Sequence, residues 1–207
     1  RNPSHRTPLP HCPRIRAFNF VYEANIRYLH HLGEVTYFSP LADTSLPDAD
    51  FVYLPGGYPE LYLAALSANR QMLQSIRRYV ESGGKLLAEC GGMMYLCDEI
   101  RDKNGDVYPM AGVLRQSATM ENMKLRLGYR TLLYNETRLK GHEFHYSRLV
   151  EQQNPLPSCA VAYTAKGVET DTPLYHYKNV WAGYTHLYWA DPVGNEWFTK
   201  FVIDGNT

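Results

Sequence analysis

The chain has 207 residues, and its 21 lysines and arginines balance 21 aspartates and glutamates, so the formal net charge is zero. A charge-neutral chain lacks the basic surface that nucleic-acid-binding proteins and binders of anionic membranes need. Hydrophobic residues make up 44% and charged residues 20% of the sequence, which excludes a disordered chain. No run approaches the roughly 20 apolar residues of a membrane span. We expect one folded domain in the cytoplasm, with no nucleic-acid or membrane partner.

The first residues differ in composition from the rest of the chain. Residues 1–14 (RNPSHRTPLPHCPR) are polar and rich in proline, and they lack the apolar segment of a signal peptide. We interpret them as a linker or a cut N-terminal end, and we place the domain at 15–207. No CxxC pair and no metal-ligand spacing occurs among the cysteines, which predicts free thiols and no metal site. These cysteines are Cys12, Cys90, Cys97 and Cys159.

The first half of the chain alternates between predicted strands and helices. In chain order the patterns predict a helix at 24–32, strands at 35–38 and 50–54, a helix at 72–80 and a strand at 85–88. Glycines follow both helices, at Gly33 and at Gly83-Gly84, where they are suited to end them. This rhythm is typical of βαβ units, so we predict a mostly parallel sheet sandwiched by helices in three layers.

The second half is richer in strand patterns. Apolar residues alternate with polar ones at 125–129 and at 161–163, and 180–184 is another β-prone run. Near the C-terminus, apolar residues at 197–202 have helical spacing, and Asp191-Pro192 provides an N-cap followed by proline at the first helical position. We therefore predict an α/β domain with a more antiparallel second half.

The strongest local motif for chemistry is AECGGMMYL at residues 88–96. An apolar strand runs into Cys90, two glycines follow, and a helical pattern resumes, as in the nucleophile elbow of G-x-S-x-G enzymes. The following helix N-terminus is expected to stabilise a thiolate, and the Gly91 N–H is positioned to bind an oxyanion. The pattern is also compatible with a buried structural cysteine before an ordinary loop.

Two further groups of residues can complete such a site. Gly56 and Gly57 follow the predicted strand at 50–54, where either can supply a second backbone N–H to an oxyanion. A cysteine nucleophile also needs a base, usually a histidine that is distant in sequence. Among eight histidines, His186 ends a late strand, whereas His142 and His145 lie on a strand pattern that would point them to opposite faces.

Four motifs in this order resemble one family. They are PGGYPE at 55–60, AECGGMMYL at 88–96, GHEFHYS at 141–147 and YTHLYW at 184–189. Together they are similar to the C-terminal glutaminase domain of the cobyrinic acid a,c-diamide synthases, and the likeness covers nearly all of residues 15–203. The resemblance implies a class I glutamine amidotransferase-like fold.

The resemblance also implies a function for this domain. Cys90 would be the nucleophile, His186 its base, and the Gly57 and Gly91 N–H groups the oxyanion hole. The domain would hydrolyse glutamine without a cofactor of its own. The ammonia would amidate a corrinoid carboxylate that is bound and activated with ATP and Mg²⁺ by a separate N-terminal synthetase domain, which is absent from this chain.

Two features leave alternatives open. Tyr188 occupies the position where many glutamine amidotransferases carry a glutamate that orients the histidine, so Glu143, Glu89 and His145 are candidate supporting residues. The acceptor could instead be another tetrapyrrole, such as nickel sirohydrochlorin or hydrogenobyrinic acid. The same residues would also fit a cysteine hydrolase of related fold or a degenerate docking module.

Overall fold

The computed structural model describes residues 22–203. Its helices are α1 (Glu23–Leu32), α2 (Leu63–Ala68), α3 (Arg70–Glu81), α4 (Gly91–Leu96) and α5 (Pro192–Ile203), with a 3₁₀ turn at Pro59–Leu61. Its strands are β1 (Phe51–Leu54), β2 (Lys85–Glu89), β3 (Cys97–Arg101), β4 (Val107–Pro109), β5 (Leu114–Thr119), β6 (Arg126–Tyr134), β7 (Thr137–His145), β8 (Arg148–Leu149), β9 (Val161–Thr164), β10 (Glu169–Thr170), β11 (Leu174–Tyr177), β12 (Val180–Gly183) and β13 (His186–Leu187). The linker predicted at 1–14 lies outside the described residues.

The central sheet has the strand order β1-β2-β12-β11. Strands β1, β2 and β12 are parallel, and β11 adds an antiparallel edge. The registers are level: Ala88 of β2 lies opposite both Leu54 of β1 and Ala182 of β12. The carboxyl ends of three adjacent parallel strands therefore meet at one edge of the sheet.

The fold contains two further sheets. The order β10-β9-β6-β7-β13 is antiparallel throughout, with β6 and β7 paired from Arg126 opposite His145 to Tyr134 opposite Thr137. The smaller sheet β4-β3-β5-β8 combines one parallel pair with two antiparallel ones. The predicted parallel centre and the predicted antiparallel second half are thus both present.

Alternating side chains of the central strands divide the core into two layers. Phe51 and Tyr53 of β1 pack into a cluster with Phe198 of α5, whereas Val52 and Leu54 pack on the opposite side with residues of α2, α3 and α4. A strand buried on both faces is a nearly continuous apolar run in the sequence, which is why FVYL contains no charged residue. The result is the predicted three-layer sandwich.

The sequence patterns located most elements to within a few residues. The run at 35–38 is an exception, because it forms no strand beyond an isolated bridge at Thr36. The alternation at 125–129 does mark the start of β6, but its apolar face is turned outward: Leu127 is 56% and Tyr129 74% exposed. Period-two alternation identifies a strand but not which of its faces is covered.

The described part of the chain also bears on the cysteines and on membrane-spanning helices. Among the described residues, Cys90, Cys97 and Cys159 are free thiols. None of the described helices is long and apolar enough to cross a membrane.

Candidate active site

The predicted site residues follow the carboxyl ends of the three parallel strands. The glycine loop, Pro55–Gly57, follows β1; Cys90 follows β2; and His186 lies shortly after β12. Since β2 lies between β1 and β12, Cys90 is flanked by the other two segments. This edge is where ligands bind in open parallel sheets.

Cys90 forms a sharp turn between strand β2 and helix α4. Its φ of 52° and ψ of −108° lie in a region that non-glycine residues rarely adopt. The turn is held on both sides: the Cys90 N–H donates to the Gly183 carbonyl (2.7 Å), and its carbonyl accepts from the Met94 N–H (3.0 Å). A strained strand-to-helix turn of this kind presents the nucleophile in G-x-S-x-G enzymes, and it confirms the elbow geometry that the sequence predicted.

The glycine loop packs directly against the elbow and against His186. A Cβ on Gly91 would lie 2.7 Å from Pro59 Cδ and 3.2 Å from the backbone nitrogen of Gly57. A Cβ on Gly56 would lie 2.0 Å from Cε1 of His186. These distances leave no room for side chains at Gly56 and Gly91. Because both residues are glycines, the glycine loop can contact the Cys90 turn on one side and the His186 ring on the other.

His186 is buried, with 3% of its surface exposed. Strand β13 pairs with β7 so that His186 lies opposite His142, and the two rings stack with their centroids 5.1 Å apart. Burial, together with the charges of His142 and His145, lowers the pKa of His186 to about 3. The imidazole is therefore neutral at pH 7 and able to accept a proton.

Burial also dominates the chemistry of the Cys90 thiol. It raises the pKa of Cys90 to about 12, and the negative charge of Glu60 acts in the same direction, although the Gly91 N–H partly opposes both. The pKa of Cys90 is therefore raised, whereas the helix N-terminus alone would lower it. The resting site thus holds a neutral thiol, whose Sγ donates to the Phe144 carbonyl (3.6 Å), and a neutral imidazole.

Glu143 and His145 form a buried polar network on the other face of β7. The Glu143 carboxylate accepts from Nε2 of His145 (2.6 Å), Nε of Arg130 (2.8 Å) and the Thr172 hydroxyl (2.6 Å). Nδ1 of His145 lies 2.7 Å from the Ser147 carbonyl, so both of its ring nitrogens are engaged. His186 is not among the polar partners of Glu143 in the described residues.

Charge as well as hydrogen bonding holds this network together. Burial alone would raise the pKa of Glu143, but the hydrogen bonds from His145 and Thr172 and the charges of His145 and Arg126 bring it to about 2. The carboxylate is therefore ionised throughout the physiological range. Glu143 and His145 line a cavity of about 670 Å³ beside the site, together with Ser147 and Tyr184.

Glu89 occupies the position between the elbow and the histidine strand. Its carboxyl is 1% exposed, accepts from the Leu187 N–H (2.7 Å) and is hydrogen-bonded by the Tyr53 hydroxyl. Burial raises its pKa to about 8, although these two hydrogen bonds oppose the shift. Glu89, the residue before Cys90, is thereby hydrogen-bonded to Leu187, the residue after His186.

The structure adds one residue that the sequence reasoning overlooked. Glu60 ends the PGGYPE motif in the 3₁₀ turn that packs against α4, and its charge acts on the Cys90 thiol. The sequence prediction uses only the glycines of this motif. A carboxylate three residues after a glycine turn at a strand end is the signal that points to Glu60.

Comparison with solved structures identifies the fold. A chain in the structure of PurLQS from Thermotoga maritima superposes with a TM-score of 0.58, covering 95% of this chain and 96% of that one at 16% identity. A protein solved as a glutamine amidotransferase superposes with the same TM-score, covering 94% and 98% at 14% identity. The fold is therefore that of the class I glutamine amidotransferases, as predicted.

Sequence comparison gives the family. The model of the CobB/CobQ-like glutamine amidotransferase domain matches residues 11–193, and the chain belongs to that family. It is 40% identical to hydrogenobyrinate a,c-diamide synthase of Pseudomonas aeruginosa over 181 residues and to cobyrinate a,c-diamide synthase of Fusobacterium nucleatum over 182 residues. Each alignment covers 84% of this chain but only 40% of the relative, so the chain spans about two fifths of the length of these relatives.

Proposed function

We propose that this chain is the glutaminase part of a corrinoid a,c-diamide synthase, with Cys90 as nucleophile and His186 as base. The observation that carries this proposal is the left-handed turn at Cys90, which lies between the glycine loop and the His186 strand at one edge of the sheet. Glutamine amidotransfer needs a nucleophile, a base and oxyanion donors at one place. The three segments can supply them.

The first half of the reaction breaks the amide bond of glutamine. The Cys90 thiol transfers its proton to His186 as Sγ attacks the side-chain amide carbon. The backbone N–H groups of Gly57 and Gly91 stabilise the negative charge that develops on the amide oxygen. Protonated His186 then gives its proton to the departing nitrogen, so that ammonia leaves and a glutamyl thioester remains.

The second half returns the enzyme to its starting state. His186 takes a proton from a water molecule, which attacks the thioester carbon and forms a second tetrahedral intermediate. The Cys90 sulfur leaves with the proton from His186, and glutamate is released. Because both groups are neutral at rest, general-base catalysis during attack fits this site better than a preformed thiolate–imidazolium pair.

The supporting residues can be assigned different roles. Glu89 is proposed to position the base, because its carboxyl holds the Leu187 N–H next to His186. Glu143 and His145 are proposed to brace β7, against which His186 packs through His142. Since both nitrogens of His145 are hydrogen-bonded, His145 is less suited than His186 to act as the base.

The amidation itself is assigned to a second component. The relatives named as cobyrinate and hydrogenobyrinate a,c-diamide synthases are about two and a half times as long as their aligned segments. We propose that an ATP- and Mg²⁺-dependent synthetase part binds the corrinoid acceptor and receives the ammonia. The choice between cobyrinate and hydrogenobyrinate would then be made by that part.

An exposed apolar face beside the site supports a partner of this kind. Leu127 and Tyr129 of β6 stand outward next to Phe144 of β7, with Tyr146 40% exposed beside them. The Phe144 carbonyl accepts from Cys90 Sγ, so this face reaches the nucleophile. Contiguous exposed apolar residues on a folded domain usually mark an interface.

The proposal is tested by the reactivity of Cys90 towards glutamine and a glutamine analogue. The purified chain should release ammonia from glutamine, and 6-diazo-5-oxonorleucine should alkylate Cys90 in a reaction that glutamine blocks, as read by peptide mass spectrometry. Cys90→Ala should abolish both signals with an unchanged circular dichroism spectrum. Cys159→Ala, which removes a half-buried thiol elsewhere, is the matched control and should retain them.

The other candidate functions predict different results. A cysteine hydrolase would cleave peptides in a Cys90-dependent reaction and release no ammonia from glutamine. A docking module would leave Cys90 unlabelled by the analogue, and either result would refute the proposal. Labelling requires only the first chemical step, so it is measurable even where turnover depends on the synthetase part.

A further inference from the structure

We infer that Glu60 is the residue that recognises the α-ammonium group of glutamine, an assignment that rests on the proposed glutaminase function and deepens it. The one cationic group of glutamine is its α-ammonium, and an anion beside the site would favour glutamine over amides that lack this group. Three acidic side chains raise the pKa of the Cys90 thiol when they are ionised: Glu60, Glu89 and Glu143.

Two of the three are already committed within the protein. Glu89 is 1% exposed and accepts hydrogen bonds from Tyr53 and Leu187. Glu143 is also 1% exposed, and its oxygens are occupied by the buried network of arginine, histidine and threonine donors. Because the oxygens of Glu89 and Glu143 already accept hydrogen bonds within the protein, a ligand ammonium would have to displace donors that hold the site together.

Glu60 differs from them in both exposure and partners. Its side chain is partly exposed, and within residues 22–203 no other residue donates a hydrogen bond or forms an ion pair with it. A half-buried carboxylate without a cation is suited to receive one from a ligand.

The position of Glu60 in the chain agrees with this role. Pro59 packs against Gly91 in the elbow, and the adjacent Glu60 lies in the 3₁₀ turn that follows the glycine loop. Of the three acidic side chains, Glu60 raises the pKa of the Cys90 thiol most. An ammonium group bound to Glu60 would also neutralise the charge by which Glu60 disfavours the Cys90 thiolate. Substrate binding would then favour attack by Cys90.

The test compares two electrophiles that differ only in the α-amino group. They are 6-diazo-5-oxonorleucine and 6-diazo-5-oxohexanoate, and the readout is the second-order rate of Cys90 alkylation. In the wild-type chain the amino compound should react faster. Glu60→Gln should slow it by about 10- to 100-fold, the usual value of a hydrogen bond to a charged group, and leave the desamino compound within twofold.

Matched variants separate charge recognition from damage to the site. Glu60→Asp keeps the charge and should recover part of the lost rate, and Glu136→Gln, at an exposed turn, should behave as wild type. Uncharged iodoacetamide should alkylate Cys90 of Glu60→Gln at least as fast as wild type. A slower reaction with iodoacetamide, or equal slowing of both diazo compounds, would overturn the assignment of Glu60. Absence of any wild-type labelling would instead refute the glutaminase function.

Discussion

A methyl group added at Gly56 should disable the site by displacing His186. The Cβ of Gly56→Ala would lie 2.0 Å from Cε1 of His186, which is about 1.4 Å short of the 3.4 Å at which ordinary contact begins. The same atom would lie 2.9 Å from Nδ1 and 3.1 Å from Nε2. The φ of Gly56 lies outside the left-handed region, so alanine adds no backbone strain there and the clash is purely steric.

The magnitude follows from the packing around the ring. His186 cannot retreat freely, because His142 stacks on it and β13 is hydrogen-bonded to β7. A catalytic group misplaced by about 1 Å costs roughly 100-fold in rate. We therefore expect Gly56→Ala to lower kcat/KM for glutamine by about 100-fold. Overpacking a core site of this kind costs about 1–3 kcal/mol in the free energy of unfolding.

The assay is a double-mutant cycle in stability together with ammonia release. Urea denaturation of wild type, Gly56→Ala, His186→Ala and the double variant separates the clash from other effects of the methyl group. If the clash is with His186, the methyl group should cost little once the ring has been removed. An equal cost in both backgrounds, or wild-type ammonia release by Gly56→Ala, would refute the reasoning.

Two further predictions concern the buried carboxylates. Glu143→Gln should lower the free energy of unfolding by about 3–5 kcal/mol at pH 7, because it leaves the Arg130 guanidinium buried without its counter-ion. Since the pKa of Glu143 is about 2, this loss should shrink as the pH falls from 4.5 towards 2 in a denaturation series, and a pH-independent loss would contradict it. Glu89, with its pKa raised to about 8, binds a proton more tightly in the folded state, so its contribution to stability should fall by about 1.4 kcal/mol per unit between pH 5 and 8. Glu89→Gln should remove this pH dependence of the free energy of unfolding, while the glutamine oxygen still accepts from Tyr53 and Leu187. Parallel plots of unfolding free energy against pH for the wild type and the variant would contradict the prediction.

The elbow was accessible from the sequence because its signals are local. A short apolar run, a cysteine and two glycines before a helical pattern specify a strand, a tight turn and a helix, which is how residues 85–96 fold. The order of the four motifs added the family, and with it the pairing of Cys90 with His186 as a hypothesis. The site's protonation states were not accessible, because burial and the charge of Glu60 outweigh the helix N-terminus at the thiol.

The second half of the chain shows why the exposed apolar face and the Glu143 network could not be predicted from the sequence. Alternation marked the strand that carries Leu127 and Tyr129, but it could not indicate that this apolar face is left uncovered. The motif GHEFHYS drew attention to Glu143 and His145 as supporting residues. Their hydrogen bonds run to each other and to Arg130 and Thr172, and these partners lie 13 and 29 residues from Glu143 along the chain.

The sequence by itself determined the three-layer α/β class, most element positions, the elbow at Cys90 and the family. Those properties follow from periodicity, turn residues and ordered motifs, which are all short-range. Only the tertiary structure decided that β12 lies beside β2, which brings the His186 strand, the elbow and the glycine loop to one edge of the sheet. It also decided which carboxyl groups are hydrogen-bonded within the protein. Strand order and burial depend on contacts between distant segments, and no local pattern encodes them.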